Sequence, residues 1–135
     1  MKRLCLAVGL LAALFSTGLQ AQVLDSEVKV PFDFWLGQKL MPAGGYLIFH
    51  EGNGAVLVRG EDGKRAANVF LPASLLYNQR PSEPRLQFTR YANTYFLSKI
   101  WNIDRGFSVP KSSREKELAR RGVPSKTEDI TLATK

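Results

Sequence analysis

The chain has 135 residues, a length suited to one domain, and 44% of them are hydrophobic against 23% charged. Its one cysteine, Cys5, lies in an N-terminal apolar segment, and its one histidine is His50. Beyond that segment, this inventory excludes a disulfide framework, a cysteine nucleophile, and thiolate or multi-histidine metal sites.

The first 21 residues read as a signal peptide. Lys2 and Arg3 form a positive start, residues 4–15 are apolar, and a more polar stretch leads to Ala21 as a small-residue cleavage position. Leu19 is a weaker match at the −3 position, so a cut near Gly18 stays open. The apolar run is shorter than the ~20 residues a membrane-spanning helix needs, which favours export with cleavage over a retained anchor. The expected location is periplasmic or extracellular, with no transmembrane span after cleavage. The formal net charge is +7, and losing Lys2 and Arg3 lowers it by two. A basic exported chain is drawn to anionic surfaces and acidic glycans. The charges here are scattered, however, as on an ordinary soluble surface.

Residues 22–135 are expected to form a single β-rich domain. Residues 27–35 alternate Val28, Val30, Phe32 and Phe34 with Lys29, Pro31, Asp33 and Trp35, the period of a half-buried strand. Pro31 places that strand at an edge or beside a bulge, because it has no N–H to donate. Gly37 ends it, residues 42–45 (Pro-Ala-Gly-Gly) turn the chain, and a second strand covers residues 45–50. Together, residues 28–49 read as a hairpin with a long connection. Residues 51–54 form a turn, residues 55–59 a short apolar strand, and Asp62-Gly63 marks a hairpin into residues 65–71.

Residues 72–84 interrupt this meander. Leu75, Leu76 and Tyr77 suggest an apolar plug or helical turn, and residues 78–84 a loop. Residues 85–91 and 95–102 then read as an aromatic hairpin around the tight turn Ala92-Asn93-Thr94. A helix is predicted over residues 112–121. Ser112 followed by Glu115 matches a capping box, Gly122 ends the helix, and Pro124 prevents continuation. Residues 126–129 read as a polar, mobile tail, with a weak last strand over residues 130–133.

The expected fold class is therefore all-β and mainly antiparallel. It would be a small single-domain barrel or sandwich of about six to eight strands with one C-terminal α-helix.

No catalytic constellation emerges. A Ser-His-Asp triad would have to use His50, and no Gly-x-Ser-x-Gly elbow is present. Gly52-Asn53-Gly54 lacks the strand-to-helix context of a phosphate-binding loop. The carboxylate pairs Glu61-Asp62 and Glu128-Asp129 fall at a hairpin tip and in the tail. No cofactor, metal or specific nucleic-acid partner is expected. What remains is an interleaving of aromatic and basic residues, which either fills a small β-core or forms a stacking face with cations at its rim. Trp35, Tyr91 and Trp101 are expected to face outward, beside Arg90 and Lys99, as ligand-binding candidates.

Val30-Pro31-Phe32-x-Phe34, Gly37 and Pro42-Ala43-Gly44-x-Tyr46 carry a family resemblance. So do Phe88-x-Arg90-Tyr91, Tyr95-Phe96-Leu97-x-x-Ile100-Trp101, and Pro110-Lys111-Ser112 with Glu115-x-Glu117-Leu118. Over most of the mature chain they resemble a family of short exported bacterial β-proteins without an established function. The resemblance implies no catalytic residues. The expected role is a non-catalytic binding or structural module of the envelope, engaging a glycan, an anionic surface or another protein. A lipocalin-like carrier of a small hydrophobic ligand is the first alternative, and an enzyme of unrecognised type the second.

Overall fold

The computed structural model describes residues 23–50, 55–63, 66–70, 83–101 and 106–134. The signal segment, the turn at residues 51–54 and the stretch with Leu75, Leu76 and Tyr77 lie outside the described residues.

In chain order the elements are β1 (Val23–Val30), β2 (Phe34–Leu36), β3 (Lys39–Met41), β4 (Gly44–His50), β5 (Ala55–Gly60) and β6 (Ala66–Phe70). There follow β7 (Arg85–Tyr91), β8 (Thr94–Trp101), β9 (Gly106–Ser108), α1 (Ser113–Arg120), β10 (Ser125–Thr131) and β11 (Ala133–Thr134). One sheet has the order β11-β1-β4-β5-β6, and the other has the order β10-β7-β8-β2-β3 with β9 also paired to β8. All pairings are antiparallel except β2 with β8. Among the described residues the fold is thus mostly β with one short helix. Among the described residues the strands form two sheets of a sandwich and do not close into a barrel.

The single strand expected over residues 27–35 is in fact two strands in two different sheets. The break falls at Pro31, which cannot donate to a ladder. β1 pairs with β4 from Val23↔His50 to Val30↔Gly44, so the expected hairpin exists. Its long connection is itself the small hairpin β2–β3, with Gly37 at its tip in a left-handed conformation (φ 60°). Two hydrogen bonds tie this excursion down. Ala43 N–H donates to Asp33 Oδ1 at 2.8 Å, and the Tyr46 hydroxyl donates to the Pro42 carbonyl. The Tyr46 ring is 1% exposed, so its hydroxyl needs that partner.

The core lies between the sheets. Val28, Val30, Tyr46, Ile48, Val56 and Val58 from one side meet Phe34, Leu86, Phe88, Leu97 and Ile100 from the other. Phe88 sits edge-on to both Phe32 (5.0 Å between centroids) and Phe34 (5.3 Å). The strands outnumber the expected six to eight because short β2, β3, β9 and β11 are separate pieces.

The largest departure concerns residues 126–129. They form the middle of β10, paired with β7 from Ser125↔Tyr91 to Thr131↔Arg85. Their polar composition fits an edge strand, which buries only its inward side. Arg85–Asp129 (3.5 Å) and Gln87–Asp129 (3.1 Å) contacts cross between the two strands on the outer face.

Candidate functional site

The hairpin β7–β8 presents different side chains on its two faces, and each face ends in a cluster of polar and aromatic groups. Ser98 is the extra residue in β8 where the register with β7 shifts, and its hydroxyl donates to the Gln87 carbonyl at 2.9 Å. The bulge keeps Leu97 and Ile100 both on the inner face, where they join the core cluster between the sheets.

The outer face carries Trp35, Tyr91, Phe96, Lys99 and Trp101. Trp35 and Phe96 are register partners, and Tyr91 meets Phe96 edge-on at 5.8 Å. Sequence reasoning expected Tyr91 and Trp101 to be exposed. They are 4% and 3% exposed. They do lie opposite the core stripe, but that side is itself covered. α1 reaches it through Arg114, whose guanidinium lies 4.6 Å from the Trp35 ring centroid, and through the buried carboxyl of Glu115, which interacts with the Tyr91 hydroxyl. Trp35 is half-buried beneath that guanidinium. Lys99 lies over Trp101, with Nζ 5.8 Å from the ring centroid. Gly106 packs so closely on Trp101 that a Cβ there would come within 2.2 Å of the ring.

Glu115 is the least expected member of this cluster. Its backbone N–H donates to Ser112 Oγ at 3.2 Å, so the N-cap forms. Its side chain turns into the protein and is 3% exposed, with Oε1 lacking a hydrogen-bond partner. Burial pushes the carboxyl above its ordinary pKa, against the opposing pull of Lys111 and of the Tyr91 hydroxyl. Tyr91 is also pushed up, first by burial and then by the Glu115 charge and hydrogen bond.

The inner face runs out of apolar residues at its far end. The row Leu86, Ile100 and Ile130 is followed by Phe88, Leu97 and Glu128, then by Arg90, Tyr95 and Lys126. Arg90 is held there by three contacts. Its Nε donates to the Ala92 carbonyl at 2.6 Å, its guanidinium lies 5.4 Å from the Tyr95 ring centroid, and Nη1 is 3.8 Å from Glu128 Oε1. Tyr95 is fixed in turn by stacking on Phe32 at 3.7 Å. Ala92 adopts φ 52°, a left-handed conformation that is uncommon outside glycine and asparagine. Beside this turn is an open groove of about 310 Å³ lined by Arg90, Ala92, Val123, Pro124 and Lys126.

The five candidate residues therefore separate into distinct surroundings. Trp35 belongs with Arg114, Tyr91 with Glu115, Lys99 with Trp101, and Arg90 with the groove. The polar run that holds Lys126 and Glu128 carries no local signal of a site. Only the register of β10 places them beside Arg90. His50 is half-buried at the end of β4, with its ring 4.9 Å from that of Phe107. Among the described residues no group of three or more His, Cys, Asp or Glu side chains could hold a metal ion, and no helix is long and apolar enough to cross a membrane. Compared with protein-family models, curated proteins and solved structures, the chain finds no match in any of the three.

Proposed function

We propose that the protein is an exported, non-catalytic binding or structural module of the periplasm or cell envelope. The observation that carries this reading is the groove at the end of the inner face, lined by the cations Arg90 and Lys126 together with Ala92, Val123 and Pro124. A concave, partly apolar surface with a few fixed polar groups is the usual form of a small-ligand site. The signal-like residues 1–21 support export. A carrier would hold its ligand between the sheets. The described residues there instead form one packed cluster from Val28 to Leu132, which favours a surface site over an internal one.

The test is to express the full chain in a bacterium, separate periplasm from cytoplasm, and record native mass spectra of the recovered protein. The expected result is a periplasmic chain cut near Ala21 that carries a ligand or partner unchanged over time. An uncut cytoplasmic chain, or conversion of the bound compound, would overturn the reading.

A further inference from the structure

We infer that the groove beside the β7–β8 turn is a binding site for a small monocarboxylate with an apolar body. This rests on the reading of the protein as a binding module and names the ligand class.

The first argument is electrostatic. Arg90 and Lys126 are directly opposed in the β7–β10 register, and both line the groove. Like charges placed opposite each other on neighbouring strands repel, so an ordinary sheet edge gains by avoiding the pair. One carboxylate, Glu128, lies near Arg90, at a long 3.8 Å. Among the described residues Lys126 makes no ion pair. Among the described residues, two cations against one carboxylate leave the groove with one uncompensated positive charge, which a single carboxylate neutralises.

The second argument is preorganisation. Nε of Arg90 is committed to the Ala92 carbonyl and its guanidinium lies over the Tyr95 ring, so the side chain has already lost much of its rotamer freedom. Its outer nitrogens keep the planar geometry that suits a carboxylate. The strained turn at Ala92 places the accepting carbonyl. A lysine snorkelling at a core rim would need neither that lock nor a facing arginine.

The third argument is the floor. Val123 and Pro124 follow the end of α1, where Gly122 takes φ 74°, and with Ala92 they give the groove an apolar lining. An inorganic anion would leave that lining in water. An apolar body attached to the carboxylate covers it.

The experiment is an ¹⁵N-detected titration of the mature protein with phenylacetate, with 2-phenylethanol and inorganic phosphate as comparison probes. Phenylacetate is expected to shift the amides of Arg90, Ala92, Val123 and Lys126 and to leave the Glu115–Tyr91 face unmoved. Arg90→Gln and Lys126→Gln are each expected to weaken binding by about tenfold, as loss of a charge-assisted contact does. Glu128→Gln is expected to tighten it, because the competing carboxylate is gone. Each variant's spectrum outside the groove reports whether it has folded. Shifts equally strong with 2-phenylethanol would overturn the electrostatic part, and equal binding of phosphate would overturn the apolar body. Absence of phenylacetate shifts would overturn the site itself. If the recovered periplasmic protein carries a ligand that Arg90→Gln and Lys126→Gln do not release, the groove assignment fails while the binding-module reading survives.

Discussion

The two faces of the β7–β8 hairpin are both rich in rings, yet they are buried by different means. On the inner face Phe88, Leu97 and Ile100 meet the opposite sheet, and the contact is apolar on both sides. On the outer face Tyr91, Phe96 and Trp101 are just as enclosed, but there α1 sets Arg114 over Trp35 and the carboxyl of Glu115 against Tyr91, while Lys99 and Gly106 pack on Trp101. An apolar face needs only shape and area to stay buried. A face closed by a buried carboxyl depends also on the protonation of that group. The inner face should therefore resist changes of pH, and the outer face should respond to them.

The largest expected effect is on the inner face. Phe88→Ala removes a fully buried ring that touches both Phe32 and Phe34. It is expected to lower unfolding stability in urea by about 3–5 kcal/mol. A loss below that of the outer-face variants would break the comparison.

Next comes Gly106→Ala, which sets a Cβ against the buried Trp101 ring and is expected to cost about 1–3 kcal/mol by overpacking. Near-UV circular dichroism should show a changed tryptophan signal. An unaltered signal with full stability would mean that the Trp101 ring is not held in place.

Ser112→Ala removes the N-cap of α1 and is expected to cost about 1 kcal/mol. If α1 is what covers the outer face, faster amide exchange at Tyr91 and Phe96 should accompany it, with Phe88 and Leu97 unchanged.

The smallest effect is a dependence on pH. Burial raises the folded-state pKa of Glu115 above its unfolded value, so the folded protein holds that proton more tightly. The stabilisation is present in full below the ordinary carboxylate pKa and is lost as pH rises through the raised one. Glu115→Gln should flatten this part of the stability–pH curve. It should change melting temperature little in acid and raise it at neutral pH. A variant curve parallel to that of the parent would show that Glu115 does not titrate where burial requires.

Much of the fold is legible in the local pattern. Residues 85–91 are β7 as expected, and the second arm starts and ends within one residue of β8. Ser112 and Gly122 mark the helix within one residue at each end, because capping and helix termination depend on neighbours in the chain, but only the Ser112 half of the capping box forms, since the Glu115 side chain is buried instead. The split at Pro31 was only half legible. Proline announces an interruption, but not that the chain resumes in the other sheet. The groove was barely legible. Arg90 stood out for its aromatic neighbours, while Lys126 and Glu128 looked like a solvated run.

The sequence by itself determined a mostly antiparallel β-domain, its strongest hairpin and the helix α1. It did so because strand alternation, turn chemistry and helix capping are properties of adjacent residues. Only the tertiary structure decided that α1 reaches the outer face at Trp35 and Tyr91, that Glu115 is buried there, and that Lys126 stands opposite Arg90. Each of those joins segments far apart in the chain through strand register and helix docking, which are set by the packing of whole elements.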